Sequence, residues 1–223
     1  MGTTFPSISH TLRSTSGKRI PLGHLHEALA AALGYKSYAA YKASGEESPS
    51  FDGAHHIVLD VDLLTRRLGQ LGYVTSEAAE AMTDAIELAF RAKLPSTQVH
   101  RVADDIKDHL HSDVADGIEN SDEYSSEVAM TNTSGGDFDL DFDLAPPIED
   151  AASTWLVTAT GTSSLDQDPD DVYHGDVIDV SAKVSFTKLG RRVLGEMTVE
   201  DVGATVRQEV PEDEPEGSDS WAP

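Results

Sequence analysis

Histidine is the residue type in this sequence with the widest chemistry, because imidazole can transfer protons and bind transition metals near neutral pH. Six of the nine histidines occur in close pairs, namely His24 and His26, His55 and His56, and His109 and His111. Residues two apart lie on different faces of a helix, and adjacent residues of a strand point to opposite sides. No pair can therefore hold one ligand without help from elsewhere in the chain.

The spacings of known catalytic motifs are absent. His26-Glu27 begins the zinc-protease pattern HExxH, but Ala30 stands where the second histidine is needed. The chain has no cysteine, so it offers neither a disulfide nor a thiolate nucleophile. It also has no GxSxG, no P-loop and no dinucleotide-binding GxGxxG at a strand–helix junction. The sequence therefore predicts no catalytic residue, no metal and no cofactor.

One further group of side chains could in principle hold a metal. His55 and His56 precede Asp60 and Asp62, and imidazole and carboxylate are both zinc ligands. Such a group would suit a hydrolase or another metal enzyme. Because the two imidazoles point apart on a strand, this is the least favoured class of function.

A run of aspartates in the C-terminal half begins like a calcium loop. Asp166, Asp168 and Asp170 have the spacing of the first three ligands of that loop. Asp171 stands where the turn needs glycine, and Val177 stands where the closing glutamate belongs. The sequence therefore predicts loose cation attraction at most, and no calcium site.

The charge of the chain is large and uneven. The 223 residues carry a net charge of −24. Residues 1–45 hold five Lys and Arg against one Glu, whereas residues 119–152 hold ten acidic residues and no basic one. Duplex DNA would repel most of such a chain, so any DNA contact must lie at the N-terminal tip. The acidic remainder suits a basic protein partner or a chain that mimics nucleic acid, but the favoured account of the charge is solubility or an Asp-rich, high-salt proteome.

Residues 21–44 contain the clearest local sequence pattern. Leucines recur at helical spacing, at Leu22, Leu25, Leu29 and Leu33. Gly34 falls where a left-handed C-cap belongs, and Ser37 can cap a second, shorter helix. The pattern predicts two helices joined by a tight glycine turn. The favoured interpretation is an ordinary helical hairpin packed on its domain.

The alternative interpretation is a DNA-binding helix-turn-helix, since Ala30 and Gly34 have the spacing that defines its turn. The second helix would contact DNA through Lys36, Ser37, Tyr41 and Lys42, and Arg13, Lys18 and Arg19 would contact phosphates. The second helix is short, however, and Ala40 replaces the bulkier aliphatic residue that is usual in the motif.

The run HEALAAALGYKSYAAYKAS in this segment resembles a short helical module near the start of uncharacterised bacterial proteins, some labelled glyoxalase-related. The resemblance covers about a tenth of the chain and rests on ALGY, the following serine and the spaced aromatic residues. Glyoxalase chemistry would need histidine and glutamate metal ligands on β-strands. The helical segment has none, so the resemblance implies a module and no activity.

Residues 46–118 continue the helical pattern after a loop and a short apolar run at 55–59. Asp60 or Asp62 is expected to cap one helix and Thr75 or Ser76 the next, which Pro95 ends. A third helix is expected to follow Ser96. Together with the hairpin, these form a predicted helical domain over residues 1–118.

Residues 119–152 are polar and acidic and predict a linker. Within it, DFDLDFDL alternates with period two, which leaves two alternatives open: a strand of the protein's own sheet, or a docking segment. The apolar residues that would contact a partner are Phe138, Leu140, Phe142 and Leu144. Alternating with them are four aspartates, here called the aspartate stripe: Asp137, Asp139, Asp141 and Asp143.

Residues 153–209 alternate as half-buried strands do, most regularly from Ile178 to Phe186. They predict a small antiparallel sheet, and residues 210–223 predict a disordered acidic tail. The whole is an α+β chain in which a helical N-terminal domain precedes the sheet domain. A sheet with one apolar face needs a cover, which the helical half or a second copy of the chain could supply.

The function that this pattern favours is a non-enzymatic, cytoplasmic interaction protein of bacterial type. It would bind a basic partner protein through residues 137–144 and the C-terminal sheet. The alternative is a DNA-binding accessory or regulatory protein that uses the N-terminal hairpin. No membrane contact is expected, because no apolar run approaches the roughly 20 residues of a membrane span.

Overall fold

The computed structural model describes residues 2–16, 20–44, 50–131, 134–166 and 177–207. The α-helices are α1 (Phe5–Thr15), α2 (Leu22–Ala32), α3 (Tyr38–Ala43), α4 (Val61–Gln70), α5 (Ser76–Lys93), α6 (Ile106–Glu119) and α7 (Asp122–Val128). The β-strands are β1 (His56–Val58), β2 (Gln98–His100), β3 (Ser134–Asp143), β4 (Thr154–Asp166), β5 (Val177–Gly190) and β6 (Val193–Val206). Short 3₁₀ helices at Ala103–Asp105 and Ile148–Asp150 precede α6 and β4.

Local capping chemistry sets the ends of the N-terminal helices. Gly34 ends α2 with a φ of 84°, and the N–H of Tyr35 donates to the carbonyl of Ala30 over 2.9 Å. Ser37 accepts a hydrogen bond from the N–H of Ala40 at the start of α3. These contacts confirm the predicted glycine turn and serine cap.

The buried side chains form two clusters. The first lies among α1, α2, α4 and α5 and includes Leu12, Leu29 and Phe90. The second lies between one face of the sheet and the helices α6 and α7, and includes Trp155 and Phe186. Along α6 the buried residues recur every four positions, at Ile106, Leu110, Val114 and Ile118. One face of α6 therefore covers the sheet, and its acidic face is left to solvent.

The six strands of the described residues form one sheet in the order β2-β1-β6-β5-β4-β3. The β1–β2 pair is parallel, and every other neighbouring pair is antiparallel. The α+β class is therefore confirmed, but the sheet is larger than the sequence predicted. Residues 98–100 form β2 where the sequence predicted the first turn of a helix, and α6 begins only at Ile106.

The predicted boundary between a helical domain and a sheet domain needs correction. The three residues of β1 are fully or nearly fully buried, and His56 and Ile57 pair with Leu194 and Val193 of β6. A short apolar run within 1–118 thereby becomes an inner strand of the C-terminal sheet. The two parts share backbone hydrogen bonds and are not separated by a linker.

The predicted linker at 119–152 is likewise corrected. Ser121 caps α7, and the buried Tyr124 hydroxyl lies 2.7 Å from the Ser163 hydroxyl of β4. The following strand β3 pairs with β4 as far as the partners Asp143 and Thr158. Composition suggested a polar linker because the aspartates outweigh the apolar residues. The strand forms because all the apolar residues lie on one face, where they can be buried together.

Arg192 joins the helical part to the sheet. This half-buried residue follows β5, and its guanidinium lies 3.3 Å from Asp60 and 3.0 Å from Glu149. Asp60 is also the cap of α4, where it accepts from the N–H of Leu63. One cation thus bridges a helix cap, the segment after β3 and the turn between β5 and β6.

We expect Arg192→Met to lower the free energy of unfolding by about 1–3 kcal/mol, because two half-buried carboxylates lose their shared cation. Urea denaturation at neutral pH measures the change. Arg191→Met is the matched control, since its side chain is exposed and should cost at most about 0.5 kcal/mol. Equal losses in the two variants would contradict a bridging role.

Candidate interaction surface

The residues proposed for DNA contact are only in part available on the surface. Arg13, Lys36 and Lys42 are exposed, whereas Lys18 and Arg19 lie outside the described residues. Tyr41 is 5% exposed and stacks on Phe5 with ring centroids 4.4 Å apart. Ser37 serves as the cap of α3. The predicted contact role of Tyr41 is therefore corrected, because its ring belongs to the core of the hairpin.

The apolar residues of β3 also face inward. Leu140 is 7% exposed and Phe142 is 8% exposed. Phe138 and Leu144 are half-buried, and the ring of Phe138 packs against Tyr124 at 5.4 Å. The prediction that these four side chains contact a partner is therefore corrected, because they face the interior of the protein. They hold β3 against α6 and α7.

The aspartate stripe has the opposite orientation. Its four carboxylates, Asp137, Asp139, Asp141 and Asp143, are all exposed. Among the described residues, none of the four forms an ion pair with Lys or Arg. Side chains on one face of a strand are about 7 Å apart, and the high dielectric constant of water weakens the repulsion between their charges. The stripe is therefore an accessible row of unpaired negative charge.

The stripe continues across the outer face of the sheet as a polar surface. Asp139 pairs with Thr162, which in turn pairs with Asp179 of β5. The neighbouring rows run from Asp141 through Thr160 to Ser181, and from Asp143 through Thr158 to Lys183. Lys183 and Arg207, the cations of this face within the described residues, pair with Asp201 and Asp179. The face is therefore rich in hydroxyls and acidic near β3.

A groove runs between β3 and α6. One depression of about 420 Å³ is lined by Lys107, Asp108, His111, Ser112, Leu140, Asp141 and Phe142. A second of about 420 Å³ is lined by His111, Ser112, Ala115, Asp116, Glu119, Gly136, Asp137 and Phe138. Both include His111 and Ser112, so the two depressions adjoin along α6. We call them together the edge groove.

The two walls of the edge groove have matching lengths. The α6 wall extends from Lys107 to Glu119, which is about 18 Å at the rise of a helix. The β3 wall extends from Gly136 to Phe142, which is about 20 Å at the rise of a strand. The helix and the strand run in opposite directions along the groove. Five of its lining residues are acidic: Asp108, Asp116, Glu119, Asp137 and Asp141.

Three histidines lie close together near the opposite edge of the sheet, which β2 forms. His56 on β1 and His100 on β2 are buried, and His56 Nδ1 lies 3.0 Å from His100 Nε2. The ring of His109, on the exposed side of α6, lies 4.9 Å from the ring of His100 between centroids. Burial, together with a smaller effect of the nearby imidazoles, lowers the pKa of both His56 and His100 to about 4. The pair is therefore neutral at pH 7.

The metal group considered from the sequence does not assemble. His55 is exposed while His56 is buried, and Asp60 caps α4. Within the part of the chain that the structure describes, no three or more His, Asp or Glu side chains are arranged to hold a metal ion. Most of the calcium-like run, including Asp168, Asp170 and Asp171, falls outside the described residues, as does the tail at 210–223.

Sequence reasoning missed both the edge groove and the histidine cluster. Each depends on residues that are far apart in the chain: His56 and His100 are 44 positions apart. The available signal for the groove was the acidic face of α6 together with the aspartate stripe. Their joint orientation follows only from the packing of α6 across the sheet.

Comparison of the chain with known proteins identifies no relative. No family model, no curated protein and no solved structure matches the chain. Among the described residues, none of the helices has the length and apolar character needed to cross a membrane. The function must therefore be argued from the surface itself.

Proposed function

We propose that this chain is a non-enzymatic interaction or accessory protein that binds a basic partner protein. The partner contacts the aspartate stripe of β3 and the adjoining outer face of the C-terminal sheet. The observation that carries the proposal is the row of four exposed aspartates, none of which has a Lys or Arg partner among the described residues.

Charge and shape both support a protein partner. A row of unpaired carboxylates at the edge of an open sheet face attracts cationic groups and accelerates their approach. The long strands β4 and β5 give the face a hydroxyl-rich surface next to the stripe. Such a surface can form many side-chain hydrogen bonds without a deep pocket.

DNA binding by the N-terminal hairpin, the alternative function, receives less support. Of the seven residues proposed for it, Tyr41 is buried and Ser37 is used as a helix cap. The helix α3 has only six residues and exposes mainly alanines. Arg13, Lys36 and Lys42 remain as the described cations that could contact phosphate.

Carbodiimide cross-linking tests the protein-partner proposal, because it joins a carboxylate directly to a lysine in contact with it. Full-length protein is cross-linked in an extract of its source cells, and the products are mapped by mass spectrometry. We expect cross-links from residues 137–143 to the lysines of one partner. When all four aspartates of the stripe are changed to Asn, the cross-links of that partner to the remaining carboxylates of the chain should be lost as well.

A control with the same change of charge separates a specific surface from general acidity. Asp62→Asn, Glu80→Gln, Asp113→Asn and Glu123→Gln alter four exposed acids that lie outside the stripe and the edge groove. This variant should keep the cross-links at 137–143. Cross-links spread evenly over all surface acids would contradict the proposal.

A further inference from the structure

We propose that the edge groove binds an extended basic segment of the partner, which adds to β3 as a further strand beneath α6. This inference rests on the proposed function and specifies how the partner binds. The segment would be about five to seven residues long, the length that the two walls of the groove accommodate.

The first support is the position of β3 in the sheet. β3 is the last strand of the sheet order, and among the described residues it pairs only with β4. Every second residue of an edge strand directs its N–H and C=O away from the neighbouring strand. The outer edge of β3 therefore offers backbone donors and acceptors to an added strand.

The second support is the helix that borders this edge. α6 lies over the inner face of the sheet and supplies Ser112 and Ala115 to the groove wall. Leu140 and Phe142, although only 7% and 8% exposed, line the floor of the groove with apolar atoms. An extended peptide between an edge strand and a helix can thus place alternate side chains over apolar surface while its backbone pairs with β3.

The third support is the charge of the walls. Asp108, Asp116 and Glu119 project from α6, and the aspartate stripe follows the opposite wall. The one Lys or Arg that lines the described groove is Lys107, which is paired with Asp104 at 2.9 Å. A cationic occupant is therefore favoured at both walls, and an anionic one is excluded.

These three features specify the sequence pattern of the occupant. Side chains of an added strand alternate between the two faces of the sheet. One set would lie beside the aspartate stripe, where Lys or Arg is favoured. The other set would lie beneath α6, over Leu140 and Phe142, where small apolar residues fit. The expected segment alternates basic and apolar residues, and so complements β3 itself.

The same charges disfavour a second copy of this chain as the occupant. Pairing of two β3 edges would place aspartate stripes side by side, and like charges on adjacent strands are destabilising. Charged residues on an edge strand are a known protection against such self-association. The occupant is therefore a different chain, with the opposite charge.

A synthetic peptide tests the inference on the full-length protein. The probe is a fluorescent, end-capped heptapeptide in which lysine and valine alternate, beginning and ending with lysine. The control peptide has the same composition with its four lysines placed before its three valines. Fluorescence anisotropy at low salt should show binding about tenfold tighter for the alternating peptide, because only that order suits strand addition.

Two further measurements locate the bound peptide. Ser112→Trp fills the centre of the groove and should weaken binding about tenfold, whereas Ser125→Trp on the exposed side of α7 should leave it unchanged. Amide hydrogen exchange of residues 136–142 should slow when the alternating peptide is added. An alternating peptide methylated on every backbone nitrogen should lose the advantage, since neither of its edges can then donate hydrogen bonds to β3.

The outcomes separate this inference from the proposed function. In one outcome, changing the aspartates of the stripe to Asn abolishes peptide binding, Ser112→Trp has no effect, and the alternating peptide binds no better than its control. That outcome would overturn strand addition and leave the partner on the outer face. Absence of both peptide binding and cross-links at 137–143 would overturn both proposals. If the unliganded protein sediments as a dimer and Ser112→Trp dissociates that dimer, the groove binds a second copy of the chain. That result would overturn the proposed basic segment.

Discussion

Lowering the pH from 7 to 5 is expected to reduce the free energy of unfolding by roughly 3–4 kcal/mol through His56 and His100 alone. Both side chains are buried, and both have a pKa of about 4 in the folded protein, against 6.5 in an unfolded chain. Between these values the unfolded state binds more protons than the folded state. Stability from this source is therefore present above pH 6.5, declines as the pH falls, and is fully lost near pH 4.

The geometry of the pair explains why protonation is unfavourable. A hydrogen bond between His56 Nδ1 and His100 Nε2 needs one N–H and one bare nitrogen, which a neutral pair provides. If both rings are protonated, two N–H groups and two positive charges face each other over 3.0 Å. His109 and His55 would add to the repulsion, whereas Asp105 near His100 opposes it only in part.

The double variant His56→Gln with His100→Gln checks this expectation, because glutamine does not titrate. Its free energy of unfolding, measured with urea at intervals between pH 7 and pH 5, should decline less steeply than that of the native chain. The control, His10→Gln, changes an exposed histidine that does not affect the pair and should keep the native slope. If all three proteins have the same slope above pH 5, the buried pair does not control acid stability.

Replacement of Gly161 by alanine is expected to cost about 3 kcal/mol or more of folding free energy. A Cβ at this position would lie 1.9 Å from the carbonyl oxygen of Asp139 on β3. Because the obstructing atom belongs to the backbone, no side-chain rotation can relieve the contact. β3 would have to move away from β4, and the buried Leu140 would move with it.

Urea denaturation measures this loss, and hydrogen exchange shows whether it is confined to β3 and its neighbours. Gly69→Ala is the control, since Gly69 lies near the end of α4 with nothing within 4 Å of an added Cβ. That change should be neutral or stabilise the protein by up to about 1 kcal/mol. An equally small effect at Gly161 would mean that β3 is held much less closely to β4.

The Gly161 prediction also bears on the interaction surface. The edge groove exists only while β3 stays against β4 and faces α6. A variant that displaces β3 should therefore lose binding of the alternating peptide together with stability. The native side chains of the stripe would be unchanged in that variant, so its loss of binding would show that their arrangement matters as well as their charge.

Local chemistry in the sequence is enough to predict many of the elements. Gly34, Ser37, Asp60 and Thr75 stand at helix ends because each meets a backbone requirement within a few residues. The alternation in β4 and β5 and the apolar spacing of α6 predict which side chains share a face. The same alternation predicts that the aspartates of 137–144 lie on one face of a strand and the apolar residues on the other.

Tertiary structure decided which face of β3 became available. The sequence alone left residues 137–144 as a strand or a docking segment, and the apolar side chains were expected to contact a partner. Packing of α6 and α7 buried Leu140 and Phe142 instead, so the aspartates and the strand edge remain outside. Period-two alternation defines two faces but does not state which one another element will cover.

The sequence by itself determined the acidic character of the chain, its helix caps and the division of each strand into two faces, because these depend on neighbouring residues. Only the tertiary structure decided that β1 and β2 join the C-terminal sheet, that His56 meets His100, and that β3 forms an edge beside α6. These pairings join residues tens of positions apart, and they arise from the burial of several faces at once, which no local pattern encodes.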